Sequence, residues 1–391
     1  MVRVVRCGRF IAGTGSGVQA ASQVWVGDNG RIERVVPDRE APPAAAQVID
    51  LSAFTVLPGL IDCHEHLGID TGDEHAQALE PDAWTAVKGI YNAGTMVRSG
   101  ITTVRDLGIK NHVDDPLAEA LGAGLFPGPR LIRSGQFICR TGGHGWYAGV
   151  EVNGPDDVRR AVREQLKHGV DLIKAMITGG ISTKGSSPGA MDLSAEEIRV
   201  LIEEAHRAGR KVAGHLYGGP ALRVAVEAGL DSVEHGALLT AADLALMQEH
   251  GTFLVVTYGV FEEALSSPAT PEFWKGPMRA IIDQYREVIA MARQAGVRIA
   301  VGGDGVHGRP VLELRALVRA GFTPLEALAA VTRDAAELCG LGAETGTLEA
   351  GKWADLAAVD GNPAEDVEAV AAVHYVMKAG VPQFPEFARP A

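Results

Sequence analysis

Two histidines one residue apart close the apolar run Leu57-Pro58-Gly59-Leu60-Ile61-Asp62-Cys63-His64-Glu65-His66. In an extended strand residues i and i+2 share a face, so His64 and His66 can aim two imidazoles at one point. Imidazole is the commonest protein ligand for zinc-like ions. A polar strand end accounts for the pair equally well, so the rest of the chain has to decide. Later apolar runs carry comparable groups. Lys174 lies inside Leu172-Ile173-Lys174-Ala175-Met176-Ile177. His215 closes the run from Lys211, His235 follows Ser232-Val233-Glu234, and Asp304 follows Val301-Gly302-Gly303.

Lys174 has two readings. A lysine in a buried strand is costly unless its charge is paired or removed. A salt bridge to a carboxylate is one solution. Loss of the proton by burial is the other, and a neutral amine can add CO₂ to become a carbamate, an anion able to bridge two metals. His144, in Thr141-Gly142-Gly143-His144-Gly145, is a loop histidine that can polarise a substrate carbonyl or stand as an ordinary polar loop residue. Tyr217 shares the face of His215 by strand alternation, so its phenol can donate to a developing oxyanion or simply line the pocket. The other seven histidines, His75, His112, His168, His206, His250, His307 and His374, fall mostly in helices or loops and read as solvated or capping residues.

The elements that must position these groups follow from the pattern. Strand candidates are Val56–Ile61, Ile101–Leu107, Arg130–Ile138, Leu172–Ile177, Lys211–Leu216, Ser232–Gly236, Phe253–Thr257 and Arg298–Gly303. Amphipathic stretches lie between several of them; Asp156–His168 and Ser194–Ala208 are the clearest, the second with Ser194 as N-cap and Glu197 as its capping-box partner. Strands alternating with helices predict an α/β fold with a parallel sheet, and eight units predict a (β/α)₈ TIM barrel over residues 56–344. Such barrels keep catalytic residues at the C-terminal strand ends, where these groups fall. Residues 1–55 alternate like strands, with a hairpin tip at Asn29-Gly30. Residues 345–391 alternate too. The two ends are expected to meet in one small β-sandwich domain.

Composition narrows the setting. The chain has 391 residues and a net charge of −13, which disfavours nucleic acid or an anionic membrane as a partner and leaves a small-molecule substrate. No stretch approaches the ~20 apolar residues needed to span a bilayer. Four scattered cysteines show no C-x-x-C pair, which points to a reducing cytoplasm.

The Leu57–His66 segment, Gly100-Ile101-Thr102-Thr103-Val104-Arg105-Asp106-Leu107-Gly108, Thr141–Gly145, Ser232-Val233-Glu234-His235-Gly236 and the tail Gly346–Leu356 together resemble the amidohydrolase superfamily. Within it the chain looks similar to bacterial Xaa-Pro and Xaa-Arg/Lys dipeptidases, ochratoxin-type amidases and imidazolonepropionase-like proteins. The resemblance implies two divalent ions, usually zinc. His64, His66 and Asp304 would hold one and His215 and His235 the other, with carbamylated Lys174 bridging them. It implies hydrolysis of an amide bond in a dipeptide or N-acyl amino acid, Asp304 shuttling the proton while His144 and Tyr217 steady the oxyanion. A cyclic-amide hydrolase or deaminase uses the same centre, and a non-catalytic binding protein is the reading from another class. Relatives often form homo-oligomers. A substrate carboxylate calls for an arginine, with Arg105, Arg140 and Arg309 as candidates, and the loop 178–192 reads as a mobile rim element.

Overall fold

A computed structural model describes residues 2–385 of the chain. Strands from both chain ends hydrogen-bond into one eight-stranded mixed sheet. Its order is Val381–Phe384, Val373–Lys378, Leu356–Val359, Gln47–Pro58, Arg3–Ile11, Ser22–Val26, Ile32–Pro37, with Val18–Gln19 pairing beside Arg3–Ile11. The expected hairpin is there: Ser22–Val26 runs antiparallel to Ile32–Pro37, and Gly30 takes the left-handed φ of 76° that its turn requires. Val5, Phe10, Val24, Ile32, Leu51, Leu356 and Met377 share one apolar core. The last six residues of the 345–391 segment lie outside the described residues.

The parallel strands form two further sheets. One holds Leu60–Glu65, Ile101–Asp106 and Arg130–Arg133. The other runs Val150–Val152, Ile138–Arg140, Leu172–Met176, Lys211–Leu216, Ser232–His235, Phe253–Val256, Ile299–Val301. They meet at two backbone bonds: Asp304 N–H donates to the His64 carbonyl (2.8 Å), and Asp171 N–H to that of Arg133 (2.9 Å). Helices cover these strands because one face of each is apolar. Pro155–Lys167 buries Val158, Ala161 and Val162, and Ala195–Arg207 buries Ile198, Leu201, Ile202 and Ala205. Ser194 and Glu197 make the reciprocal capping box, a device worth about 1 kcal/mol.

Two strand expectations need correction. Val56–Ile61 is not one barrel strand: the chain leaves the mixed sheet at Pro58 and enters the parallel one at Leu60. Gly59 makes the junction, where a Cβ would stand 2.2 Å from Thr102 Oγ1. Arg130–Ile138 is likewise broken, because Gly135 turns into the left-handed region (φ 69°) and separates Arg130–Arg133 from Ile138–Arg140. No helix of the described residues is long and apolar enough to cross a membrane. All four cysteines are free thiols.

Candidate metal centre

His64, His66, Lys174, His215, His235, Asp304, His144 and Tyr217 all line one cleft at the C-terminal ends of the parallel strands. His64 Nε2 lies 3.3 Å from Lys174 Nζ and 3.4 Å from Asp304 Oδ1. His66 Nε2 is 3.8 Å from Asp304 Oδ1, and His235 Nδ1 is 3.7 Å from its Oδ2. His235 Nε2 faces His215 Nδ1 at 2.9 Å. Ligand atoms of His64, His235 and Asp304 all fall within 4.8 Å of one another.

The far sides of these side chains are anchored. His66 Nδ1 lies 2.8 Å from the Gly108 carbonyl, and His235 Nδ1 lies 2.8 Å from Thr257 Oγ1. His64 Nδ1 meets Glu234 Oε2 at 2.8 Å, and the same carboxylate holds Arg105 Nη2 at 2.8 and 3.0 Å. Outer partners of this kind fix the tautomer and orientation of a metal-binding imidazole. Burial, reinforced by neighbouring positive charge, pushes all four imidazoles below their usual range, His66 to about 4, which favours the neutral form that a metal ion requires. His215 Nε2 is buried without a hydrogen-bond partner. A ring nitrogen stranded this way is costly unless something outside the protein fills it, and a metal ion does. The donor set therefore fits divalent cations of the zinc type.

Asp304 is placed by its backbone. Asp62 accepts the N–H groups of His64 and Gly303, and Glu65 Oε2 accepts those of Gly305 and His66. Two carboxylates of the first strand thus grip the turn around Asp304, which sits at φ 52°. His235 is also left-handed, at φ 71°. Non-glycine residues held there store strain, and such strain clusters at functional sites. Gly302 makes the turn fit, because a Cβ there would lie 2.4 Å from His64. Burial raises Asp304 to about 7 against the pull of Lys174, and burial lowers Lys174 to about 8.

Two residues read otherwise from sequence change role. His307 is not a solvated or capping residue: it is buried, with Nδ1 3.1 Å from Glu65 Oε2 and Nε2 3.3 Å from Asp70 Oδ1. Burial alone would lower it, but the two carboxylates hold it up at about 10. Arg105 is not a substrate-carboxylate arginine but pairs with buried Glu234, while the adjacent Asp106 carboxylate accepts the Leu67 and Gly108 N–H groups. Arg140 is bound to Asp192 and Arg309 to Glu263. None of the three lines the cleft, where Lys174 is the only lysine or arginine among the described residues. The 178–192 loop is tied down: Thr178 bridges Met191, Ser182 Oγ donates to Glu74 Oε2 at 2.7 Å, and Thr183 Oγ1 meets His144 Nδ1 at 3.0 Å. Glu234, Asp62, Glu65 and Thr257 were invisible as site residues from sequence. The one available signal was Glu234 standing inside an apolar strand next to His235.

The wall facing the polar floor is apolar and aromatic, with Phe137, Ile181, Phe261, Trp274 and Met278. Comparison with known proteins places this architecture. Residues 55–382 match the model of the amidohydrolase family. An ochratoxinase of Aspergillus niger is 33% identical over 365 residues, covering 83% of this chain and 75% of its own. An imidazolonepropionase of Maricaulis maris is 29% identical over 393 residues, covering 93% of each chain. The crystal structure of a Xaa-Pro dipeptidase with methionine bound in its active site superposes with a TM-score of 0.91 at 31% identity, covering 98% of this chain and 99% of that one. The chain belongs to the amidohydrolase family and is a hydrolytic enzyme acting on carbon–nitrogen bonds.

Proposed function

We propose that the enzyme hydrolyses an amide bond in a dipeptide or N-acyl amino acid at a centre of two divalent ions, preferably zinc. The observation that carries this reading is the convergence of six donor side chains on one cleft, backed by outer hydrogen bonds and leaving His215 Nε2 unfilled. His64, His66 and Asp304 would hold one ion and His215 and His235 the other, with Lys174 between them as a carbamate. Bound there, the ions supply a nucleophilic hydroxide at neutral pH and polarise the carbonyl.

The protein's own groups do the rest. A Lys174 amine held near 8 has an accessible neutral form, which adds CO₂ and releases a proton to give the carbamate. Asp304 takes the proton of the attacking water and returns it to the leaving nitrogen. Tyr217 is kept protonated by burial and so donates to the oxyanion. Thr183 Oγ1 accepts the Gly145 N–H (2.9 Å), which frees its own proton for His144 Nδ1 and leaves His144 Nε2–H as a second donor. The aromatic lining, with no arginine in it among the described residues, favours a second reading, an ochratoxin-type amidase acting on a bulkier amide.

The two parallel sheets are read as arcs of one closed (β/α)₈ barrel over 56–344, supported by the backbone bonds that join their edges. The mixed sheet is read as a small β-sandwich of residues 1–55 and 345–391; its edge residue Ile32 donates its N–H to the Lys352 carbonyl and shares a core with Met377, in the strand next to the opposite edge. A cytoplasmic setting accords with four free thiols. Homo-oligomeric assembly rests on analogy with relatives. A kinetic screen of zinc-loaded protein against dipeptides, N-acyl amino acids, aryl amides, cyclic amides and aminopurines tests the reading. Turnover confined to the last two classes, or none at all, rejects it.

A further inference from the structure

A second group of metal-ligating side chains lies away from the cleft. Ligand atoms of His112, Asp115 and His168 all fall within 4.8 Å of one another. His112 follows the Ile101–Asp106 strand in a short turn, and His168 caps the C-terminal end of the Pro155–Lys167 helix. Their rings lie face to face, with centroids 3.5 Å apart and an interplanar angle of 5°. His168 Nδ1 is 2.9 Å from Asp115 Oδ2.

Three features of this spot are unfavourable for the protein alone. Asn111 and His112 are consecutive non-glycine residues in the left-handed region, at φ 52° and 54°. His112 Nδ1 is buried with no hydrogen-bond partner. Aromatic rings avoid a face-to-face sandwich, and two protonated imidazoles so placed would also repel. The charges point the same way. Arg133 binds both Asp114 and Asp115, through Asp114 Oδ2 and Asp115 Oδ1. One cation against two carboxylates (+1 − 2) leaves one negative charge when both imidazoles are neutral. Asp115 Oδ2 remains turned toward His168.

We propose that His112, Asp115 and His168 form a surface site for a zinc-like divalent cation, apart from the catalytic centre. Two imidazoles and one carboxylate are a zinc donor set, and the fourth position is left to water. With ligand bonds of ~2.0–2.1 Å, donor atoms around a tetrahedral zinc stand about 3.3 Å apart, and the in-plane lone pairs of His112 and His168 converge on one ion once one imidazole turns out of the stack. The ion would clip together two βα units whose ligands are 53 residues apart (Asp115 to His168). One of those units carries Gly108, whose carbonyl orients His66. The site thus acts as a brace.

The test uses the full-length enzyme with its catalytic centre loaded, equilibrated with excess zinc chloride and freed of loose ion by gel filtration. Elemental analysis is expected to find one more zinc per chain in wild type than in His168→Ala, with kcat equal within about twofold. Asp115→Asn repeats the comparison should His168→Ala fail to fold. Added zinc is also expected to raise the melting temperature of the wild-type holoenzyme and not of the variant. Equal zinc content in wild type and either folded variant, or a melting shift shared by both, overturns the proposal.

Discussion

The parallel strands and the chain-end sheet are buried to a similar degree but bury different things. Around the cleft Asp62, His64, Glu65, Arg105, Asp106, Lys174, His215, Glu234 and His235 are all nearly inaccessible. The chain-end sheet instead encloses Val5, Cys7, Phe10, Val24, Ile32, Leu51, Leu356 and Met377. Desolvating a charge costs several kcal/mol, whereas burying an apolar side chain contributes about 1.5–3 kcal/mol. The chain-end sheet therefore gains stability from what it encloses, whereas the polar cleft floor offsets part of the stability contributed by the large apolar core around the same parallel strands. The buried pairs Arg105–Glu234 and Glu65–His307 are best understood as the means by which the costly region holds imidazoles and Asp304 in place.

That contrast can be broken most severely at the reacting groups. Asp304→Asn should lower kcat by about 10⁴-fold while the metal content measured by elemental analysis stays near wild type. Lys174→Ala should lose metal as well. The next largest effect falls on the support: Glu234→Gln leaves Arg105 unpaired and should cost about 3–5 kcal/mol in urea unfolding, with activity falling too. Leu356→Ala, in the chain-end sheet, should cost about 2–4 kcal/mol by the same measurement yet leave kcat unchanged in the folded enzyme. Were kcat to fall in parallel, the division between the two regions would be wrong.

The smallest effect sharpens the comparison through pH. Lys378 is the exception in the chain-end sheet, an amine whose Nζ donates to the Gly128 carbonyl at 2.6 Å. Burial, helped by the charge of Arg130, lowers it to about 8. Between that value and the unfolded value of ~10.4 the unfolded chain binds more protons, so stability rises with pH across this window. Wild type should therefore gain roughly 2 kcal/mol relative to Lys378→Met between pH 8 and 10.5 in urea midpoints. A flat difference would show that the amine is adequately solvated.

What was legible in the sequence was whatever follows a local period. The strand ends at His215 and His235, the Ser194 capping box and the Asn29-Gly30 turn all came from patterns within a few residues. What was not legible depends on partners far along the chain. Asp62 and Glu65 look like ordinary polar residues beside two histidines until residues 303–305 fold against them. His307 reads as a loop residue because both its carboxylates lie more than 200 positions earlier. The breaks at Gly59 and Gly135 escaped because the strand text runs on unbroken through both glycines, and only the approach of Thr102 and the left-handed turn expose them.

The Gly59 junction has a consequence for how the enzyme is made. The strand ending at Pro58 continues through it into the strand that bears His64, and its register is set in part by pairing with Leu356–Val359. That pairing joins positions about 300 residues apart, a separation that makes closure slow relative to local structure. The strand that carries His64 is thus fully aligned only once that distant segment has paired with the strand before it.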